Sequence, residues 1–413
     1  MQKMNISVGI DIGNTKVITC VGKIDEEGID IVGVGQSQNQ GMRKGVIVDI
    51  EETVSAVTSS LEEAERMSGY SIQGAIVGIS GPYIESELSR GVIAISRPDG
   101  EIAAEDIERV MEAARAIPSK PNREVLHVLP LNYIIDGSEI VKDPIGMNGT
   151  RLEVNANIIS ASSNAIKSLG RAFEQAGVSI NQMVFSPLAT MKVLLTKRQI
   201  EIGVMLIDIG SSTTSYAVFE EGEVANCGVI PVGSMHITND IAIGLRTNLD
   251  LAEEIKVKYG YALPEQIGEK EEIDLSKISK HEEGTANLKY IAEIIEARLN
   301  EIFLLIKDNL TRSGCETSLP AGVVITGGGA KINGIVEMTK ETMRLPAQIG
   351  KPAVEITGLI DKLNDPIYST SIGLMLCGKN AKNDSSSYFN MDTIPGLTGI
   401  VSKVKSAFKN FIP

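Results

Sequence analysis

VGIDIGNTKVITCVG, residues 8–22, returns in the middle of the chain as VMLIDIGSSTTSYAVF, residues 204–219. Asp11 answers Asp208, and Gly13 answers Gly210. Each copy is an apolar run ending in Asp, a turn of Gly and small polar residues, and a second apolar run. The pattern predicts a strand, a tight turn and a returning strand. Each copy continues into a third strand, IDIVGVGQS (29–37) and EVANCGVIPVGS (223–234). Each half later holds another apolar strand ending in small residues, GAIVGISG (74–81) and GVVITGGG (322–329). β-rich runs alternating with amphipathic helices predict an α/β protein made of two similar halves.

The first helix is predicted over about 50–68. Asp49 is a plausible N-cap with Glu52 three residues on, and Gly69 is a stop signal. Val54, Val57, Leu61, Ala64 and Met67 recur between them at helical spacing. The halves are interrupted at different points. An insertion at 84–162 reads strand, helix, strand, strand, whereas the second half is interrupted at 236–315 by helical and charged segments.

Composition narrows the function. The 413 residues carry a formal charge of −14, which argues against general nucleic-acid binding, because no basic face outweighs the acids. Cys20, Cys227, Cys315 and Cys377 are far apart and lie in or beside apolar runs, so reduced, mostly buried thiols are expected. His127, His236 and His281 are isolated from one another and from every Cys, so a zinc site is not expected. No apolar run approaches the length of a membrane span.

The two D-x-G turns carry the chemistry. Gly13 and Gly210 let the backbone fold back. Exposed N–H groups, with Asn14, Thr15, Ser211, Ser212 and Thr213, can then donate to phosphate oxygens, and Lys16 adds charge. Asp11 and Asp208 stand where carboxylates would hold a hydrated Mg²⁺. One such turn alone is only a tight turn; two copies facing each other form a nucleotide-binding constellation. Gly327, Gly328 and Gly329 follow an apolar strand and precede a helix, a place where a nucleobase can approach the backbone.

GIDIGNTK, LIDIGSSTTS and VVITGGGAKI together resemble the phosphate-one, phosphate-two and adenosine motifs of the actin, Hsp70 and sugar-kinase superfamily. Within it, GMRKGVIVDI (41–50), KDPIGMNGTRLE (142–153) and the stretch around AEEIKVKYG (252–260) resemble the FtsA family of bacterial cell-division proteins. The resemblance covers nearly the whole chain. It implies an actin-like (ribonuclease H-like) duplicated two-domain fold around an ATP and Mg²⁺ cleft. Subdomain 1A would span 1–83 and 163–203, an SHS2-like subdomain 1C 84–162, subdomain 2A 204–235 and 316–378, and subdomain 2B 236–315. Glu253 and Lys256 would contact the ribose and adenine edge, although the residues alone favour an i,i+3 surface pair. Lys331 would sit beside the base. PLATMKVLL (187–195) and DPIYSTSIGLMLCG (365–378) would be helices crossing between the halves.

The implied function is an ATP-binding protein that polymerises on the inner face of the cytoplasmic membrane. It would hold the C-terminal peptide of FtsZ through 236–315 and later divisome proteins through 84–162. Actin-like ATPases such as MreB place a Glu before the Pro of the first crossing helix; here Ser186 precedes Pro187. Without that base, a nucleotide switch with no catalytic residue is expected rather than a turnover enzyme. The alternatives are a PilM-like type IV pilus protein, or a small-molecule kinase of the same superfamily. The kinase would need an Asp base, and the loops of the first half show no such motif.

The chain finishes on GLTGIVSKVKSAFKNFIP (396–413), with three lysines and no acid. On a helix, Leu397, Ile400, Val401, Val404, Phe408, Phe411 and Ile412 share one stripe, flanked by Lys403, Lys405 and Lys409. The preceding 379–395 is polar and reads as a flexible linker. A tethered amphipathic helix of this kind suits an anionic membrane surface better than a core.

Overall fold

The internal repeat is a pair of matching sheets. The computed structural model describes residues 6–24, 28–116, 120–278, 284–315, 318–359 and 364–378. The linker expected at 379–395 and the amphipathic helix expected at 396–413 lie outside the described residues.

The first half opens with an antiparallel meander, β1 (Ile6–Ile12), β2 (Lys16–Ile24) and β3 (Ile29–Gln38). A small hairpin, β4 (Met42–Arg43) and β5 (Val46–Ile47), leads into α1 (Ile50–Ser68). The local signals of α1 act as expected: Asp49 accepts from Glu52 N–H at 3.1 Å, and Gly69 closes the helix in the left-handed conformation. Val57, Leu61 and Ala64 are buried beneath it. Met67, expected on the same face, is 43 % exposed at the last turn, with its sulfur near the Val34 N–H. β6 (Gly74–Ile79) then returns parallel to β1.

The insertion forms its own sheet from β7 (Ile84–Ala94), β8 (Arg123–Ile135), β9 (Glu139–Val141) and β10 (Arg151–Ser162), ordered β7-β10-β8-β9. Its helix α2 (Ala104–Arg115) packs Val110, Met111 and Ala114 against Leu152, Val154 and Ala156 on one face of that sheet. The short β8–β9 hairpin, turning at Asp136–Gly137, is an addition to the expected strand order. The chain re-enters the first half through α3 (Ser163–Gln175) and β11 (Ser179–Phe185), then runs through α4 (Ser186–Leu194) and α5 (Lys197–Ile202).

The second half repeats the plan with β12 (Val204–Ile209), β13 (Thr214–Glu220) and β14 (Glu223–Ile230). Next come α6 (Ser234–Leu245), α7 (Leu249–Tyr259), a hairpin of β15 (Glu272–Asp274) and β16 (Thr285–Asn287), and the long α8 (Leu288–Arg312). These helices share a core with Ile237, Ile255, Ile295, Leu299 and Phe303 at its centre. β17 (Val323–Thr326), α9 (Ile335–Met343), β18 (Ala347–Ile349), β19 (Thr357–Gly358) and α10 (Ser369–Cys377) complete the described chain.

The two large sheets run β11-β6-β1-β2-β3 and β18-β17-β12-β13-β14, the same order twice. β19 adds to the first sheet beside β3, so the second half reaches back over the first. Between the sheets α4 and α10 cross, and every residue of both is buried. The surrounding core draws Ile18, Val184 and Ile76 from the first half and Leu206, Phe219 and Val324 from the second. Burial of this apolar surface, at about 25 cal/mol per Å², is what binds the halves together.

Candidate functional site

The two D-x-G turns are closed by the same hydrogen bond, from Gly13 N–H to Lys16 O and from Gly210 N–H to Thr213 O, each at 2.9 Å. Both turns are also held from behind by their carbonyls. In the first, Asn39 Nδ2 donates to Gly13 O at 2.8 Å and Asn39 N–H to Thr15 O at 3.0 Å. In the second, Ser234 and Met235 N–H groups at the start of α6 donate to Gly210 O and Ser211 O at 2.9 and 2.7 Å. The carbonyls are spent on the scaffold. Among the described residues, the N–H groups of Asn14, Thr15, Ser211 and Ser212 donate to no protein acceptor. An anion is the group that would satisfy them.

The turns face one another. Asn14 Oδ1 accepts from Gly45 N–H at 2.9 Å, which draws the β4–β5 hairpin over the first turn. A Cβ on Gly45 would lie 3.5 Å from Thr213 Cγ2 of the second turn. At the strand ends, Asp11 and Asp208 come close enough to interact. Removal from water raises the Asp11 carboxyl to about 7, and the charge of Asp208 pushes in the same direction. Desolvation raises Asp208 to about 6, opposed by a hydrogen bond from Thr370. Both side chains keep partial exposure, yet surrounding protein removes most of their hydration. Two carboxylates in that condition favour a cation, and their hard oxygens suit Mg²⁺, which keeps several of its own waters. Lys16 stands at the start of β2, half-buried.

The Gly327–Gly329 run has one open side. Gly327 has φ 84°, and a Cβ there would strike Asp208 Oδ1 at 2.2 Å. A Cβ on Gly329 would meet Ile209 Cγ2 at 2.4 Å. A Cβ on Gly328 would meet nothing within 4 Å. That opening is where a flat group could lie.

Glu253 and Lys256 on α7 are more than a surface pair. Lys256 is 7 % exposed. Its Nζ donates to Glu253 Oε2 at 2.7 Å, Thr238 Oγ1 at 2.8 Å and Ser234 O at 3.2 Å. Thr238 Oγ1 donates in turn to Glu253 Oε2. The cluster clamps α7 to the first turn of α6, whose amides brace the second D-x-G turn. Lys331 is committed elsewhere, to Asp365 Oδ2 at 2.7 Å. Ser186 lies on the cleft floor: a Cβ on Gly78 would be 3.1 Å from Ser186 Oγ and 3.4 Å from Asp11 Oδ1. At the position before Pro187, a hydroxyl rather than a carboxylate therefore lies near Asp11.

Several contributors had no signature in the sequence. Asn39, Gly45 and Asp365 act through contacts 26 to 34 residues away in the chain. Thr370 and Thr190 act through a helix crossing.

Comparison with known proteins agrees with this geometry. The sequence profile described as "Cell division protein FtsA" matches residues 205–373, and that described as "SHS2 domain inserted in FTSA" matches 81–160. The chain is 38 % identical to the Cell division protein FtsA of Pseudomonas aeruginosa over 388 residues, covering 94 % of this chain and 92 % of that one. Against the Bacillus subtilis protein of the same name, identity is 37 %, with 91 % and 84 % covered. Against that of Escherichia coli K12 it is 33 %, with 91 % and 90 % covered.

Among solved structures, the PilM-PilN type IV pilus biogenesis complex aligns with a TM-score of 0.65 at 16 % identity, covering 90 % of this chain and 98 % of that one. MreB5 of Spiroplasma citri bound to AMPPNP aligns with a TM-score of 0.53 at 15 % identity, covering 92 % and 98 %. The MamK double helical filament aligns with a TM-score of 0.52 at 12 % identity, covering 90 % and 97 %. These likenesses show an actin-like fold, and the far higher identity to the division proteins decides between that family and PilM. With an SHS2 domain set into an actin-like body, the chain belongs to the FtsA family of bacterial cell-division proteins.

Proposed function

We propose that the cleft binds ATP with Mg²⁺, and that the loaded protein acts as a filament-forming adaptor holding FtsZ polymers at the inner face of the cell membrane. The observation carrying this reading is the pair of matching turns with unspent amides, set around two carboxylates that burial raises. Asn14, Thr15, Ser211, Ser212 and Thr213 would receive the phosphates, with Lys16 adding charge. Asp11 and Asp208 would hold the hydrated Mg²⁺, which offsets phosphate charge when bound. Gly328 leaves room for the base, while Glu253 and Lys256 border the ribose and adenine edge. Lys331 reaches the base side only by giving up Asp365 or sharing it. Ser186 beside Asp11 supplies no base strong enough to activate water, which supports a switch over a turnover enzyme.

The partner side has a fitting surface. A groove of about 550 Å³ opens on the 236–315 subdomain between α6 and α8, lined by Asp240, Ile243, Gly244, Tyr290, Ile294 and Arg298. Ile243 is 76 % exposed there, and Arg298 is held by Asp240 at 2.6 and 2.9 Å. The Arg298 guanidinium is taken up by both Asp240 and Glu301, so the exposed apolar side chains of Ile243 and Tyr290 are what the groove offers a short peptide with apolar residues, as the C-terminal peptide of FtsZ would be. Later divisome proteins would use the 84–162 insertion. The 396–413 segment would anchor the assembly to anionic lipid, one copy reversibly and a filament of copies through avidity.

Co-sedimentation with anionic vesicles tests the adaptor role. With MgATP, the full chain should carry FtsZ polymers into the vesicle pellet, and residues 1–395 should leave them in the supernatant. Vesicle pelleting by the truncated protein equal to that of the full chain would overturn the anchor.

A further inference from the structure

Thr190 on α4 and Thr370 on α10 are buried and meet across the helix crossing, Oγ1 to Oγ1 at 3.0 Å. At one end, Thr190 Oγ1 lies 2.9 Å from the Ser186 carbonyl oxygen. At the other, Thr370 Oγ1 lies 3.3 Å from Asp208 Oδ2. Each hydroxyl has one proton to give, and the carbonyl and the carboxylate at the two ends can accept. Three contacts therefore compete for two protons. Thr190 donates to the Ser186 carbonyl and Thr370 to Asp208, so both ends are served and the contact between the two hydroxyls holds no proton. If Thr370 instead turns its proton to Thr190, the hydroxyls are bonded to each other and Asp208 loses its donor. Thr370 has one proton, so only one of these two arrangements holds at a time.

We propose that Thr190 and Thr370 are positioning residues that transmit the state of Asp208 to the helix crossing. This inference rests on the nucleotide reading of the cleft. While Asp208 faces no cation, its charge holds the Thr370 proton. Once its oxygens are engaged by a cation arriving with nucleotide, Thr370 turns to Thr190, and the two helices gain a hydrogen bond between them. The change is delivered at a close approach of the two helices. Next to Thr190, the Ala189 carbonyl oxygen lies 2.1 Å from where a Cβ on Gly373 would be. With no slack there, gaining that bond changes how α4 and α10 are held against each other.

Hydrogen exchange on the full chain, with and without MgATP, tests this, together with calorimetric MgATP affinity. In the wild type and in Thr190→Ser, MgATP should change exchange across 186–195 and 369–378. Thr190→Val should bind MgATP within about threefold of wild type, yet lose more than half of the MgATP-induced difference in 186–195. Its difference across 208–213 should persist. Thr190→Ala, which removes the hydroxyl without adding bulk, should behave like Thr190→Val and serves if the valine variant does not fold. A wild-type-sized difference in 186–195 in either variant overturns the relay while leaving the nucleotide site standing. Loss of MgATP binding in a folded variant also overturns it, by placing Thr190 in the binding site itself. Failure of the wild type to bind MgATP overturns the nucleotide reading and the relay with it.

Discussion

Gly373 and Ala189 leave no room for a side chain between them: a Cβ on Gly373 would sit 2.1 Å from the Ala189 carbonyl oxygen and 2.4 Å from its carbonyl carbon. The approach of α10 to α4 therefore depends on that missing methyl. Gly373→Ala should destabilise the protein by at least about 1–3 kcal/mol, the range for overpacking a filled core. Gly170→Ala on α3, where a Cβ would meet nothing within 4 Å, should instead be neutral or stabilising by up to about 1 kcal/mol. Denaturant unfolding of the two variants checks the contrast, and equal midpoints would contradict it.

Acid and base should act on ligand-free protein in opposite directions at two places. Asp11 and Asp208 hold protons more tightly folded than unfolded, with values raised to about 7 and about 6. Their contribution is fully present below about pH 4 and is lost as pH rises through 6 to 7. Asp11→Asn should remove part of that loss, raising stability at pH 8 by about 1–2 kcal/mol, less than the shift alone gives because the carboxylate retains some solvent contact. His127 runs the other way. It is buried in the insertion, its Nε2 accepts from Phe185 N–H at 3.0 Å, and burial lowers it to about 4. Its stabilising share is present above about pH 6.5 and is lost as pH falls toward 4. His127→Gln should flatten the acid side only. Unfolding midpoints between pH 4.5 and 8 in a chelator separate the two slopes, and an Asp11→Asn profile parallel to wild type would contradict the assignment.

The groove on the 236–315 subdomain predicts a binding defect without a folding defect. Ile243 is 76 % exposed, so Ile243→Glu should leave the unfolding midpoint within about 0.5 kcal/mol of wild type. A central apolar anchor is worth about 1–3 kcal/mol to a bound peptide, so affinity for an FtsZ C-terminal peptide should fall at least tenfold. Fluorescence anisotropy with a labelled peptide measures this; unchanged affinity would move the partner site elsewhere.

What was legible in the sequence followed from local chemistry. Asp49, Glu52 and Gly69 bound a helix because capping is decided within a few residues. The repeated D-x-G turns announced two sheets because a strand ending in a carboxylate and a glycine is rare enough to notice twice. The crossing of the helices in 187–195 and 365–378 followed from the family resemblance rather than from local chemistry. What escaped were contacts between distant positions. Asn39 behind Gly13, the β19 addition beside β3, and Lys331 with Asp365 depend on how finished elements pack. Glu253 and Lys256 alone read as a surface pair, and the burial of Lys256 is what that reading missed.

The most direct measurement is a calorimetric titration of MgATP into the wild type, Gly328→Asp and Gly329→Ala. Gly328→Asp fills the open side of the glycine run and adds a charge that repels nucleotide, while a Cβ there meets no protein atom within 4 Å. It should fold as the wild type does and lose MgATP binding by at least about a hundredfold, as about 3 kcal/mol for an uncompensated charge implies. Gly329→Ala presses on Ile209 and should cost stability first. Wild-type MgATP affinity in a folded Gly328→Asp protein would contradict the placement of the nucleotide between the two halves.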